Sequence, residues 1–366
     1  MMRVIFDNEI FLIQKYGGAT RYFFELIRRL PANDIAVLLY MGKFINEYGL
    51  ENHRNDFAVF SGRKIKSIPK TKLISRMIQK PFFEKFAAGQ DFDLLHQTYF
   101  NDINIPKQFK RVITIHDFTH EKLGENFSGL DKTVEQKKKA IEKSDGIICV
   151  SESTKNDLTS MYDTAGKKIK VVYHGNSLRY EDPGKPIIER PYLLYVGDRR
   201  AYKNFGIMTE LFSLNRNFAD NFALVCCGGG PFTKQEKEKI NSLGLGNNFI
   251  HTEAFDEKIA NLYRYATAFI FTSKYEGFGI PMIEAMYNKC PVVASDVSSL
   301  PEVGADAALY FNPDSAEDLN NKLTLLLSDK ELRDRLVAKG IEREKFFSWD
   351  KCAAETKSFY EDVLGS

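Results

Sequence analysis

Four stretches of the 366-residue chain set glycine, cations and carboxylates close together. They are Gly17-Gly18, the run Tyr195-Val196-Gly197-Asp198-Arg199-Arg200-Ala201-Tyr202-Lys203-Asn204, the triplet Gly228-Gly229-Gly230, and Lys274-Tyr275-Glu276-Gly277-Phe278-Gly279-Ile280-Pro281. Glycine lets a backbone approach a ligand closely, and a helix start offers an anion free amides and a favourable dipole. Arg199 and Lys203, four apart at an expected helix start, would both reach a diphosphate. Alone, such a pair reads as a solvated helix start; glycines ending two neighbouring runs turn the reading towards a polyphosphate site. Glu276 and Glu284 bracket the turn from Gly277 to Pro281, with Pro281 suited to the first helical position and Glu284 expected in the first turn. The helix dipole favours a carboxylate there whatever its function, whereas Glu276 precedes the turn and points at whatever the loop encloses. Carboxylates are natural acceptors for sugar hydroxyls.

His116 ends the apolar run Val112-Ile113-Thr114-Ile115 and precedes Asp117, which places an imidazole at a strand end, although a lone histidine is more often structural. His116 and His120 stand four apart but lack a third ligand and the glutamate of a His-Glu-x-x-His helix, so no metal is expected. Asp91-Phe92-Asp93 has the form of a metal-binding aspartate pair, yet it precedes its strand and is set aside. Neither a Gly-x-x-x-x-Gly-Lys-[Ser/Thr] loop nor a Gly-x-Gly-x-x-Gly between strand and helix occurs, which removes the main support for a kinase or a dinucleotide oxidoreductase. Five cysteines, odd in number and mostly in apolar runs, read as reduced core residues of a cytoplasmic protein; adjacent Cys226-Cys227 cannot form a Cys-x-x-Cys motif.

Such residues need a frame that gathers strand ends. Short β-branched and aromatic runs alternate with helical patterns, the signature of an α/β fold with parallel sheets. One series of strands is predicted at Arg3–Phe6, Leu94–His96, Val112–His116, Gly146–Val150 and Val171–His174. A second is predicted at Tyr192–Val196, Ala223–Cys227, Phe249–Thr252, Ala268–Thr272 and Pro291–Ser295. In doubly wound sheets ligands bind beyond the carboxyl ends of strands, where the four stretches lie. Phe23, Leu26, Ile27 and Leu30 predict a helix starting just past Gly17-Gly18. The polar segment 176–186, with Pro183, Gly184 and Pro186, is the expected hinge between a first domain over 1–178 and a second over 188–347.

Composition agrees with two folded domains: 43% hydrophobic and 27% charged residues exclude a disordered or collagenous chain. With 51 basic and 49 acidic residues there is no global case for a nucleic-acid partner, yet residues 1–175 carry 28 basic against 21 acidic and the remainder 23 against 28. The N-terminus meets carboxylates too early for a signal peptide, and no apolar run approaches a spanning length, so a cytoplasmic chain that does not cross a membrane is expected.

The run Glu276-Gly277-Phe278-Gly279-Ile280-Pro281-Met282-Ile283-Glu284 resembles the Glu-x7-Glu signature of retaining glycosyltransferases of family 4. Also similar in order and spacing are Thr114-Ile115-His116-Asp117, Val150-Ser151-Glu152-Ser153-Thr154, Tyr195-Val196-Gly197 through Lys203-Asn204-Phe205, Val293-Ala294-Ser295-Asp296 through Pro301-Glu302-Val303, and Phe347-Ser348-Trp349 before a last helix. The resemblance therefore covers nearly the whole chain. It implies a GT-B fold of two facing Rossmann-like domains, with donor mainly on the second, acceptor mainly on the first, and a last helix, 348–366, crossing back to the first.

The same resemblance implies a catalytic set of His116, Glu276, Arg199 and Lys203. Arg199 and Lys203 would bind the donor diphosphate, with Gly17 and Gly18 adding amides from across the cleft. Glu284 would bind the ribose, Glu276 and the backbone of Gly277, Phe278, Gly279 and Ile280 the donor sugar, and His116 would stand beside that sugar. Arg200 departs from the pattern by placing a second cation next to Arg199. No metal and no other cofactor is implied, so fixed cations would stabilise the charge growing on the leaving nucleoside diphosphate. The longer form Tyr-Val-Gly-x-Arg-x-x-Tyr-Lys-Asn-Phe is similar to bacterial mannosyltransferase-type members. Mannose from GDP-mannose is the first expectation, passed to a glycan or lipid-linked acceptor of surface polysaccharide (O-antigen, capsule or lipopolysaccharide). A UDP-sugar transferase of the same fold is the alternative. The complete Glu-x7-Glu loop speaks against an epimerase and the lack of a pyridoxal-phosphate lysine context against a phosphorylase. A non-catalytic scaffold subunit would predict decayed donor residues, whereas Arg199, Lys203, Glu276 and Glu284 are all present.

Residues 62–83 hold seven basic and no acidic residues, interleaved with Ile, Leu, Met and Phe. The run suits peripheral contact with the anionic inner face of a membrane, and equally a solvated loop and helix.

Overall fold

A computed structural model describes residues 1–66, 72–124, 130–253 and 255–365, and the chain divides into two units, Met1–Gly175 with Ser348–Ser366, and Asn176–Phe347. The first unit carries β1 (Met2–Phe6), β2 (Ile35–Phe44), β3 (Val59–Lys64), β4 (Leu94–Gln97), β5 (Lys110–Ile115), β6 (Gly146–Cys149) and β7 (Lys168–Val171), in the sheet order β3-β2-β1-β4-β5-β6-β7. The second carries β8 (Tyr192–Val196), β9 (Ala223–Cys227), β10 (Phe249–Thr252), β11 (Ala268–Phe271), β12 (Val292–Ser295) and β13 (Ala308–Phe311), in the order β10-β9-β8-β11-β12-β13. Every pairing is parallel, as between Val4 and Val37 or Leu193 and Leu224. Central strands such as Val4-Ile5-Phe6 and Leu193-Leu194 are wholly buried because helices cover both faces of a parallel sheet.

This order fixes where ligands can bind. In each sheet the winding starts centrally, runs outward, then returns to run the other way, so β1 lies beside β4 and β8 beside β11. At that reversal the loops leaving the two strands diverge and open a crevice.

Three strands escaped the sequence reading. The run of β2 is almost continuously apolar, a pattern that helix and strand share. The half-exposed edge strand β3 ends in Gly62-Arg63-Lys64, and β13 is four residues long. The strand expected at Val171–His174 lies at Lys168–Val171, which leaves His174 in the buried turn beyond. The strand before His116 ends at Ile115, so His116 is the first loop residue. All five cysteines are free and buried.

The helix Gly18–Ile27 starts one residue earlier than its apolar spacing predicts and buries Phe23, Leu26 and Ile27, while Leu30 lies past its end and is buried there. The last helix, Trp349–Leu364, belongs to the first unit and opens on Ser348, whose hydroxyl accepts from the amides of Asp350 and Lys351. Trp349, Phe359, Tyr360 and Val363 join the core built on β1 and β2.

Candidate active site

In the second unit the residues singled out by spacing converge at the β8/β11 reversal. The loop after β8 carries Arg199 and Lys203, and the loop after β11 carries Glu276. Backbone and side chain stitch the loops together: Thr272 Oγ1 donates to the Lys203 carbonyl at 2.6 Å, and the Lys274 amide to the Tyr202 carbonyl at 2.8 Å. Lys203 Nζ then meets Glu276 Oε1 at 2.6 Å, and Ser273 Oγ donates to the same oxygen at 2.6 Å. Lys203 and Glu276 are 19% and 15% exposed, so their charges stand in a polar recess rather than in bulk water. Burial works against the ammonium, but Glu276, with Tyr202 and Asp198 nearby, more than offsets it and raises the lysine pKa. Lys203 keeps further N–H donors beyond the one given to Glu276.

The Glu276–Gly279 loop is held from below. Ser298 Oγ accepts from the Glu276 amide at 2.9 Å, and Ser299 Oγ donates to the carbonyls of Glu276 (2.9 Å) and Phe278 (2.8 Å). Gly279 has φ near 115°, the left-handed conformation that turns the loop into the helix Ile280–Tyr287. Pro281 is the second helical residue, and Glu284 lies in the second turn rather than the first. Glu284 is buried and accepts from the Tyr263 hydroxyl at 3.2 Å.

Arg199 and Lys203 do not stand on a helix start. Arg199 precedes the 3-10 turn Ala201–Lys203, of which Lys203 is the last residue, and the helix begins only at Gly206, after Asn204 adopts a left-handed φ of 54°. Arg199 is turned inward, its side chain 4% exposed. Its Nε meets Glu236 Oε1 at 2.7 Å, while its terminal nitrogens donate to the carbonyls of Gly228 (3.1 Å), Gly230 (2.9 Å) and Pro231 (3.0 Å). The guanidinium thus braces the Gly228-Gly229-Gly230 turn, where all three glycines have positive φ. Gly229 leaves no room for a side chain on this backbone, because a Cβ would lie 2.9 Å from the Asp198 Cα. Arg200 is exposed and paired with Asp198.

The first unit has its own cluster behind β5. His116 is ringed by Tyr22 (5.2 Å between centroids), Phe23 (5.9 Å) and His174 (6.0 Å), and its Nε2 is buried with no hydrogen-bond partner among the described residues. Burial lowers its pKa to about 4, with Asp117 opposing and Lys137 assisting. Beneath it runs a hydrogen-bonded chain: Tyr360 hydroxyl to His96 Nδ1 (2.5 Å), His96 Nε2 to Thr114 Oγ1 (2.9 Å), and Thr114 Oγ1 to Tyr22 hydroxyl (3.1 Å). That chain joins the last helix, β4, β5 and the helix after Gly17-Gly18. The Gly17 amide donates to the Tyr48 hydroxyl, 3.3 Å away.

Spacing alone missed several groups at these strand ends. Ser273, Ser298 and Ser299 support the Glu276 loop, and short polar residues in a loop carry little signal of their own. Buried Lys137 donates to the Asp117 carbonyl (2.9 Å) and to Glu121 (2.8 Å) from a helix whose sequence reads as a solvated lysine run. Asp7, past β1, is buried and accepts from Glu9 and Thr98; burial raises its pKa to about 6. The aspartate pair set aside above is structural at Asp93, whose carboxylate accepts from the Arg3 amide at 2.7 Å, away from the carboxyl ends of the strands.

Comparison with known proteins agrees with this arrangement. Residues 16–179 match the family model Glycosyltransferase Family 4, and residues 180–343 match Glycosyl transferases group 1. The chain is 26% identical to O-antigen chain mannosyltransferase B of Escherichia coli, over 98% of this chain and 100% of that one. Among solved structures it resembles sucrose-phosphate synthase of Thermosynechococcus elongatus, with a TM-score of 0.79 at 20% identity and full coverage of both chains. It also resembles Anabaena HepE in complex with UDP and glucose, with a TM-score of 0.75 at 14% identity over 99% of this chain and 100% of that one. With two Rossmann-like parallel-sheet units of the GT-B fold and family matches that together run from residue 16 to residue 343, the chain belongs to the family 4 glycosyltransferases.

Proposed function

We propose that the protein transfers mannose from GDP-mannose, with retention and without a metal, to a glycan or lipid-linked acceptor of bacterial surface polysaccharide. The observation that carries the reading is the Lys203–Glu276 pair at the β8/β11 reversal, a fixed cation with donors to spare beside a carboxylate that is held through one oxygen, Oε1. In this reading Lys203 meets the diphosphate and Glu276 takes sugar hydroxyls. Gly277, Phe278, Gly279 and Ile280 offer their backbone, Glu284 meets the ribose, and Gly17 and Gly18 add amides. Arg199 contributes by holding the Gly228–Gly230 turn as well as by its charge, and His116 stands beside the donor sugar as a neutral imidazole at physiological pH. The bond from the anomeric carbon to the phosphate oxygen breaks as the acceptor oxygen attacks the same face. The departing phosphate oxygen takes the acceptor's proton, and Lys203 stabilises the charge that grows there. Relatives named as O-antigen mannosyltransferases support the choice of mannose and of a surface glycan. A lipid-linked acceptor would draw the protein to the inner face of the plasma membrane as a peripheral protein, with residues 62–83 the sequence's candidate contact.

A thermal-shift panel of GDP, UDP, ADP and CMP with their sugar conjugates, with and without EDTA, tests the donor, since a ligand of the native state raises Tm. A GDP-selective shift that survives EDTA is expected. A UDP-selective shift replaces mannose by the UDP-sugar reading, and no shift from any nucleotide, with cooperative melting, favours the scaffold.

A further inference from the structure

Lysines of this chain mostly reach water. In the basic run over residues 62–83, Lys64 pairs with Glu47 and Lys80 with Glu84, while residues 67–71 and the side chains of 72–77 lie outside the described residues. Lys137 is the exception, 1% exposed and the one buried lysine among the described residues. Its neighbours Lys138 and Lys139 are exposed and pair along their helix with Glu142 and Glu135. Lys137 stands on the inward face of that helix, Leu130–Lys143, in line with buried Ala140 and Ile141 three and four residues on. An apolar side chain suits such a face, and a buried ammonium is tolerated only where it is paired and hydrogen-bonded.

What Lys137 holds is the turn that carries His116. Its Nζ donates to the Asp117 carbonyl at 2.9 Å and to Glu121 Oε2 at 2.8 Å. The same ammonium lies 4.7 Å from the centre of the Phe118 ring and 5.5 Å from that of Phe100. Its acceptor is held in turn: Glu121 Oε1 accepts from the Tyr162 hydroxyl at 3.1 Å, and the next residue, Lys122, pairs with Asp157 of the helix Glu152–Met161 at 2.5 Å. The Asp117 carboxylate closes the turn by accepting from the Thr119 amide at 3.0 Å. On its other side the His116 ring is enclosed by Tyr22, Phe23 and His174. The direction of its buried Nε2 is therefore set jointly by those rings and by the backbone that Lys137 grips.

We propose that Lys137 is a positioning residue of the transfer site, whose ammonium fixes the His116–Asp117 turn from beneath and so aims the His116 imidazole at the donor sugar. The inference deepens the proposed place of His116 beside that sugar and rests on that reading. A displacement of about 1 Å at a reacting group costs on the order of a hundredfold in rate, even when the change that causes it is remote from the chemistry. The same cation works against a second positive charge nearby and so helps to keep His116 neutral.

A double-mutant cycle on the full chain tests it. The pair Lys137→Met with Glu121→Gln removes both buried charges together, so neither is left without its partner. With His116 present, this pair should lower kcat for mannose transfer from GDP-mannose by about tenfold to a hundredfold. In a His116→Ala background the same pair should change kcat by less than about twofold, because Lys137 acts through His116. Should the pair fail to melt cooperatively, Lys137→Gln alone carries the same cycle with the same expectation. An equal loss in both backgrounds, the mark of a merely structural lysine, or no loss with His116 present would overturn the proposal. NMR of isotope-labelled histidine reads His116 without any donor, its signals identified by their absence in His116→Ala. One sharp set is expected in wild type and a doubled or broadened set in the Lys137 variants; a single sharp set in those variants would also overturn the proposal. Absence of transfer by wild type would reject the donor reading instead, and the histidine signals then decide the role of Lys137 by themselves.

Discussion

The buried histidines of the first unit make its stability depend on pH in a way that can be calculated. His96 is fully buried between Tyr360 and Thr114, and burial, with His116 nearby, lowers its pKa from an ordinary 6.5 to about 3. The unfolded chain therefore takes up a proton at pH values where the folded unit does not. Stability is fully present above the unfolded value and is lost as pH falls through it towards the folded one. At pH 5, roughly 1.5 pH units below the unfolded value and about 1.36 kcal/mol per unit, His96 alone costs about 2 kcal/mol. His116, lowered to about 4, and His174, also lowered by burial, act in the same direction. Trp349 is the only tryptophan and packs 5.5 Å from His174, so its fluorescence reports this unit's unfolding. Urea titrations followed through Trp349 should show stability falling by about 2 kcal/mol or more between pH 7 and pH 5. The variant His96→Asn, whatever its stability at pH 7, should lose about 2 kcal/mol less over that interval. Equal slopes for wild type and His96→Asn would refute the assignment of His96 as a histidine buried neutral.

The second unit and the last helix give further expectations. Lys203→Ala should lower transfer by roughly 10²- to 10³-fold, the cost of removing one fixed charge-stabilising donor, while Tm measured without nucleotide moves little because Ser273 still holds Glu276. Arg199→Ala leaves Glu236 without its partner and the Gly228–Gly230 turn unbraced, and should destabilise the second unit by about 3 kcal/mol in chemical denaturation. Gly175→Ala would place a Cβ 2.2 Å from the Trp349 amide nitrogen, so the start of the last helix must shift; a loss of about 2 kcal/mol and red-shifted Trp349 emission are expected. EDTA should leave the rate of sugar transfer unchanged.

The sequence displayed the elements that carry strong local chemistry and hid those that depend on packing. Glycines, Glu276, Lys203 and Arg199 stood out because few structures need such residues at such intervals, and they lie at the strand ends where parallel sheets gather ligands. The direction of Arg199 was not legible: nothing local announces that Glu236, thirty-seven residues on, draws it into the glycine turn. Lys137 is one of three consecutive lysines, and only the fold buries it beneath Asp117. The helix start assigned to Lys203 was displaced by the left-handed Asn204, whose side chain donates to the distant Pro313 carbonyl at 2.7 Å. The edge strand β3 was lost because its outer half is charged and exposed, as an unpaired sheet edge should be.

The most direct test is transfer of labelled mannose from GDP-mannose to a lipid extract of bacteria that make a mannose-containing O-antigen, in the presence of EDTA, by wild type and by Glu276→Gln. The account predicts labelled product with the anomeric configuration of the donor from wild type, and at least a hundredfold less from Glu276→Gln, roughly the cost of a contact made in the transition state. Equal product from both proteins would contradict it.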